Sequence, residues 1–326
     1  MGQTFSFTWE APFMAGLQET LGESAIHVLS HLSFFGEQIF LIFAVGLLYW
    51  CIDKEFGIAV GRTVLFANVC NTMIKNIFVR RRPYFDHEGI RVFRPVDKDA
   101  DIMDIAAQGF SFPSGHATNS FATMGAIAHY GASDRGKRIL SLKIRRLIQA
   151  AVLFLPFLVG FSRVVVGVHY PTDVICGWVL GVGCVFLIPF LHKRLGDGLF
   201  TIVILLFAAS GFFYCSSDDY FSSMGLLLGF YAAIFFEARF VRFSGTREPV
   251  RCIVRIFFGA LLFFVMNRVM KLPFSADFLD NGSLASHLVR TLRYTLATFV
   301  VLGIYPMAFG RFPGIFGVDK KENLQP

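Results

Sequence analysis

The sequence predicts an all-α, polytopic transmembrane helical bundle, and three observations carry that prediction. Of the 326 residues, 55% are hydrophobic and only 16% are charged. The mean hydropathy is +0.58. Apolar stretches of about 20 residues, each enough to cross a hydrocarbon layer roughly 30 Å thick, recur from residue 32 almost to the C-terminus. This composition excludes an ordinary soluble domain.

About nine membrane helices are expected, near 32–51, 56–79, 115–132, 147–168, 172–192, 199–215, 222–238, 252–270 and 289–310. Residues 1–31 are apolar but carry Glu10, Glu19 and Glu23, lack a basic leader, and read as an interfacial amphipathic segment. Residues 32–194 hold the polar and charged groups suited to chemistry and form the expected membrane core. Residues 195–326 add transmembrane helices whose role the sequence does not define.

The net charge of +7 does not signal nucleic-acid binding, because the basic residues sit in short loops between apolar spans. Residues 1–31, 169–173 and 216–221 contain no Lys or Arg, whereas 131–146 contains Arg135, Lys137, Arg138, Lys143, Arg145 and Arg146. Lys193 and Arg194 follow the fifth helix, Arg239, Arg242, Arg247 and Arg251 the seventh, and Arg311, Lys320 and Lys321 the ninth. The positive-inside rule therefore puts the N-terminus outside and the C-terminus in the cytoplasm. One outer loop, 80–114, breaks the rule with Arg80, Arg81, Arg82, Arg91, Arg94 and Lys98, and so needs a chemical reason. The six cysteines are dispersed through apolar spans with no C-x-x-C pair, and read as small buried hydrophobes.

Three segments carry candidate chemistry. Lys75 and Arg82 lie seven residues apart, so a helix running to Pro83 would place both on one face, roughly 10 Å apart along its axis. Pro113-Ser114-Gly115-His116 opens the third helix: Ser114 suits an N-cap, Gly115 admits close approach of a ligand, and the first-turn amides form an anion cradle beside His116. Ser162-Arg163 ends the fourth helix and His169 precedes the fifth. Pro171 suits the first position of that helix, so Asp173 falls in its first turn, within reach of the His169 ring. Such a carboxylate fixes the imidazole tautomer and leaves the other nitrogen free as a nucleophile.

Taken singly, each segment has a plainer explanation: a basic anchor at a helix end, a capped helix start with an interfacial histidine, a capping aspartate near a surface histidine. Topology, however, brings all three to one membrane face. There Lys75, Arg82 and Arg163 would repel one another unless a multiply charged anion bound among them, and phosphate is the natural occupant.

In order, Lys75 to Pro83 fits K-x6-RP, Pro113 to His116 fits PSGH, and Ser162 to Asp173 fits SR-x5-H-x3-D. Over roughly residues 56–192 the chain thus resembles the type 2 phosphatidic acid phosphatase (PAP2) superfamily. That group includes lipid phosphate phosphatases, undecaprenyl diphosphate phosphatases, glucose-6-phosphatase and, more distantly, vanadium haloperoxidases. The resemblance implies a PAP2/haloperoxidase-like helical core and a metal-independent phosphatase of membrane lipid phosphates or diphosphates, with no cofactor. It further implies that Lys75, Arg82 and Arg163 hold the phosphoryl oxygens, with Ser114, the Gly115 backbone and Ser162 completing the hydrogen bonds. His169, oriented by Asp173, would attack phosphorus, and His116 would protonate the leaving alkoxide and then activate water.

The expected location is a bacterial cytoplasmic membrane with the site on the outer face. A sugar-phosphate phosphatase of the glucose-6-phosphatase type, or a lipid-phosphate receptor or transporter without turnover, are the alternatives. A haloperoxidase is disfavoured because those relatives are soluble. Headgroup, chain length and oligomeric state are not legible.

Overall fold

The computed structural model describes residues 5–317. Residues 1–4 and 318–326, with Lys320 and Lys321 of the charge count, lie outside the described residues. Every long element is helical: α1 (Glu10–Ser30), α2 (Gln38–Leu47), α3 (Lys54–Phe78), α4 (Gly115–Ala132), α5 (Leu142–Val165), α6 (Pro171–Ala209), α7 (Asp218–Phe236), α8 (Pro249–Val269) and α9 (Leu284–Phe299). Local chemistry sets several starts. Asp53 accepts the Phe56 amide ahead of α3, Ser141 the Ile144 amide ahead of α5, and Ser283 the Ser286 amide ahead of α9.

Six stretches are long and apolar enough to cross a membrane, or up to seven if the bent pair Glu10–Gly36 and Phe40–Ile52 is one span. Two physical features separate this count from the expected nine. First, Pro171–Phe213 is a single stretch of 43 residues, about 65 Å of helix and roughly twice the hydrocarbon thickness. It breaks at Gly196, whose φ of 69° and ψ of 169° no helix contains. Before the break, Gly177 packs on Ser114 and Gly181 on Thr118, and Val185 packs on Gly125, so α6 follows α4 away from Ser114. After it, Asp197 pairs with Arg62 at 2.9 Å, Phe207 meets Phe66, and the Ser216 amide reaches Asn76, so the chain follows α3 back. The stretch is two antiparallel spans. Second, α4 is less apolar because it buries Thr118, Asn119, Ser120 and Thr123 at the centre of the bundle, packed among α3, α5 and α6.

Close helix contacts hold each half together. A Cβ added at Gly177 or Gly181 would sit 2.7 Å from the carbonyl oxygens of Ser114 or Thr118. In the C-terminal half, a Cβ at Gly225 or Gly229 of α7 would clash with those of Thr291 or Thr295 in α9. Both are small-xxx-small faces. The C-terminal half docks through α7 onto α3, where the Asn68 amide donates to the Ser223 hydroxyl at 2.8 Å. Phe154, Val179, Phe186, Leu206, Phe235 and Ile253 point outward, as a surface facing lipid requires. The protein is a multi-pass membrane protein.

Residues 10–36 pack on the end of the bundle that holds Ser114 and Asn76. Within them, α1 is interrupted at Gly22. Gln18 donates to the carbonyls of Arg91 at 2.8 Å and Val165 at 2.9 Å, and the turn ending at Gly36 rests on the His116 backbone.

Candidate active site

The site forms where three helix ends meet. Lys75 lies in the last turn of α3, which stops at Phe78. The expected helix through Arg82 is not seen: Val79 takes a left-handed conformation (φ 42°) and its amide closes on the Lys75 carbonyl at 2.9 Å. Pro83 keeps the helix from resuming, since its ring disfavours the α region for Arg82, and Arg82 is extended (φ −73°, ψ 154°) before a short turn, Pro83–Asp86. In an extended stretch alternate side chains share a side. Arg80 and Arg82 are accordingly buried, while Arg81 is half-exposed and pairs with Asp86 at 3.2 Å.

Arg82 is held by backbone carbonyls. Its Nε donates to Gln108 at 2.8 Å and Gly109 at 3.1 Å, and its Nη1 donates to Val168 at 2.9 Å. The same Nη1 lies 3.4 Å from His169 Nε2. A guanidinium only donates, so Nε2 presents its lone pair and the ring proton belongs on Nδ1. Nδ1 faces Asp173 Oδ2 at 3.5 Å, longer than a good hydrogen bond. Burial, and then the charges of Arg82, Arg163 and Lys75, push the His169 imidazole well below its usual range, so it is neutral at neutral pH.

Asp173 occupies the first turn of α6 as expected, but its strongest partners are elsewhere. Oδ1 accepts from Arg80 Nη1 at 2.6 Å and Oδ2 from the Tyr170 amide at 2.8 Å. Ser114 caps α4 through its hydroxyl and donates its own amide to the Asp173 carbonyl at 2.9 Å, which ties the start of α4 to the start of α6. No partner is seen among the described residues for the amides of Gly115 and His116 in that first turn. His116 follows, half-buried, with Arg163, Lys75, Arg82 and Arg94 as its charged neighbours.

Arg163 is 2% exposed. It donates from Nη1 to Ser33 Oγ at 2.8 Å, while its Nε has no acceptor. Ser162 donates back to the Val159 carbonyl at 2.7 Å and lies 3.3 Å from the Ser33 hydroxyl. Lys75 makes no hydrogen bond or ion pair seen among the described residues, and feels the charges of Asp219, Arg82, Asp173 and Arg163.

The structure thus gathers Lys75, Arg82, Ser114, Gly115, His116, Ser162, Arg163, His169 and Asp173 at one end of the bundle. Sequence reasoning missed Glu10, Ser33, Asn71, Arg80 and Thr172. Asn71 donates to Thr118 Oγ1 at 3.0 Å and to the Pro113 carbonyl at 3.3 Å, which fixes α4 against α3. Glu10 had a signal: a lone carboxylate in an aromatic N-terminal stretch, Phe-Ser-Phe-Thr-Trp-Glu, needs a buried cation. The basic outer loop is explained only partly by the site. Arg80 and Arg82 belong there, whereas Arg91 pairs with Glu23 at 2.6 Å and Arg94 with Glu37 at 2.5 Å, binding the loop to the N-terminal segment.

These features define a class: a helical membrane protein with a buried cationic centre that carries two imidazoles, one backed by a carboxylate. The chain belongs to the PAP2 superfamily, whose family model matches residues 56–197, while a second model, "PAP2 superfamily phosphatase, transmembrane extension", matches residues 221–317. Three curated relatives illustrate the likeness. A lipid A 4'-phosphatase of Bacteroides thetaiotaomicron is 26% identical over 138 residues, covering 41% of this chain and 52% of that protein. An undecaprenyl-diphosphatase of Sulfolobus acidocaldarius is 31% identical over 134 residues, 41% of this chain and 54% of that protein. The undecaprenyl-diphosphatase BcrC of Bacillus subtilis is 28% identical over 195 residues, 56% of this chain and 86% of that protein. The chain spans about half the length of the first two. No solved structure matches it.

Proposed function

We propose that this protein is a metal-independent phosphatase of lipid phosphates or diphosphates that works through a phosphohistidine. The observation that carries the reading is the contact at 3.4 Å between the neutral Nε2 of His169 and the Arg82 guanidinium, in a buried centre where Lys75 and Arg163 keep donors unspent. A phosphoryl group drawn to those cations comes to rest against a nucleophilic lone pair.

His169 Nε2 attacks phosphorus, the bond from phosphorus to the leaving oxygen breaks, and His116, which takes up a proton when the bound phosphoryl anion offsets the cations around it, gives that proton to the leaving oxygen. His116, now neutral, takes a proton from water. The resulting hydroxide attacks phosphorus, the P–N bond breaks, and inorganic phosphate leaves with His169 restored. The Asp173 carboxylate, 3.5 Å from Nδ1, stabilises the charge that develops on the imidazole through both steps. Arg163, Lys75, Arg82, the Ser114 hydroxyl and the Gly115 and His116 amides bind the non-bridging oxygens, whose negative charge they stabilise, and Ser162 joins them only if its hydroxyl turns from the Val159 carbonyl.

A lipid substrate is favoured because the site lies at one end of a membrane bundle and because relatives are named for lipid A and undecaprenyl diphosphate. The outer, non-cytoplasmic face is favoured because the other end holds Arg62, Arg135, Lys137, Arg138, Lys193 and Arg194 before the Gly196 break of α6, and the basic residues after α7.

The test is a panel of phosphatidate, phosphatidylglycerophosphate, undecaprenyl diphosphate and a sugar phosphate, assayed on purified protein with EDTA present. Phosphate release from one or more lipids, faster than from the sugar, is expected. A preference for the sugar phosphate would replace the lipid assignment, and no turnover on any member would favour a receptor.

A further inference from the structure

Behind His169 stands a group the mechanism does not use. Arg80 is fully buried, and each donor it shows is spoken for: Nε donates to the Phe5 carbonyl at 2.8 Å, Nη1 to Thr172 Oγ1 at 2.8 Å and Asp173 Oδ1 at 2.6 Å, and Nη2 to Glu10 Oε2 at 2.7 Å. Its guanidinium is sandwiched between the rings of Tyr170 (3.8 Å) and Phe5 (4.3 Å). Glu10, equally buried, accepts from the Phe7 amide at 2.9 Å, the Thr172 amide at 3.1 Å and the Thr172 hydroxyl at 2.6 Å. One guanidinium is thus shared by two carboxylates from distant parts of the chain.

Sharing matters to Asp173. Its Oδ2 must accept the Nδ1 proton of His169, and an arginine bonded to Oδ1 draws electron density away from that task. Glu10 divides the arginine's charge. Thr172, bonded to both Glu10 and Arg80, fixes the geometry beside Asp173. We propose that Glu10, acting through Arg80, is a positioning residue of the catalytic centre: it sets the orientation and acceptor strength of Asp173 and thereby of His169. The N-terminal segment, outside the stretch that matches the family model, then completes the site. This inference rests on the function proposed above.

The experiment uses the full chain and the lipid phosphate turned over fastest, with vanadate as the probe of the phosphate-binding groups. Glu10→Gln keeps the shape and removes the charge. Its kcat is expected to fall on the order of tenfold, the scale of second-layer partners of functional histidines, with KM and vanadate inhibition unchanged. Glu10→Asp should restore part of kcat. On an Asp173→Asn background, adding Glu10→Gln should cost nothing more, because the carboxylate it tunes is gone.

Activity and vanadate binding that fall together in Glu10→Gln, or an undiminished effect in the Asp173→Asn background, show a role in folding alone and overturn the inference. So does a Glu10→Gln enzyme with wild-type kcat. A wild type inert on every phosphoester overturns the functional reading as well, which an active wild type with an indifferent Glu10 does not.

Discussion

Two buried arginines at opposite ends of the bundle are treated in opposite ways. Arg255 of α8, 0% exposed, donates to the carbonyls of Trp50 at 2.6 Å, Phe316 at 3.0 Å, Ser244 at 3.1 Å and Gly317, and lies 4.1 Å from the Phe309 ring. Arg163 of α5, nearly as buried, has one bond, to Ser33, and an orphaned Nε. A buried donor without an acceptor costs about 1–3 kcal/mol, and a cation in a membrane bundle costs more unless it is paired. Arg255 is complete and joins the Trp50 carbonyl to those of Phe316 and Gly317. Arg163 is left incomplete beside Lys75 and His116, and under the proposed function a phosphoryl group would complete it.

Arginine-to-methionine substitutions sharpen that contrast, because they keep length and remove charge. Arg163→Met is expected to lower kcat/KM on the order of 10²–10³-fold, the scale of one lost transition-state donor, with a melting temperature no lower than wild type. Phosphate release and thermal unfolding of the same preparation check both halves. An active, destabilised Arg163→Met would reverse the assignment. Arg255→Met should do the opposite: a loss of stability of about 3 kcal/mol, from carbonyls stripped of their donor, and an unchanged kcat for the protein that stays folded. Between these poles, Val79 pays a left-handed backbone at φ 42° to end α3 before Arg80. Val79→Gly should raise stability by about 1 kcal/mol and leave turnover alone, as thermal unfolding and a rate assay would show.

The parts of this site that were legible in the sequence are those whose chemistry is declared locally. Ser114 and Gly115 before a helix, Pro171 and Asp173 in a first turn, and cations in apolar spans each announce a role. The end of α3 falls where the expected span of 56–79 puts it, but the shared helical face of Lys75 and Arg82 is not formed, because the chain leaves the helix at Val79 and Pro83 keeps Arg82 extended. Glu10 carries a local signal, but its pairing with Arg80 and, through it, with Asp173 was illegible for a different reason. Its members stand 70 and 93 residues apart, and nothing local distinguishes Arg80 from Arg81. The fold shows a similar division. The Gly-Asp-Gly stretch at 196–198 separates two helices in the sequence as in the structure, but the polar α4 is a central helix for its contacts and not for its hydropathy.

Transfer of phosphate to His169 is the claim on which the rest depends. Its most direct measurement is rapid quenching of the protein with a lipid substrate labelled in the phosphoryl group, followed by peptide mapping. The account predicts an acid-labile, base-stable label on the peptide containing His169, absent from His169→Ala, which releases no phosphate above background. Phosphate release by His169→Ala at the wild-type rate, or wild-type turnover with no labelled histidine at any quench time, would contradict it.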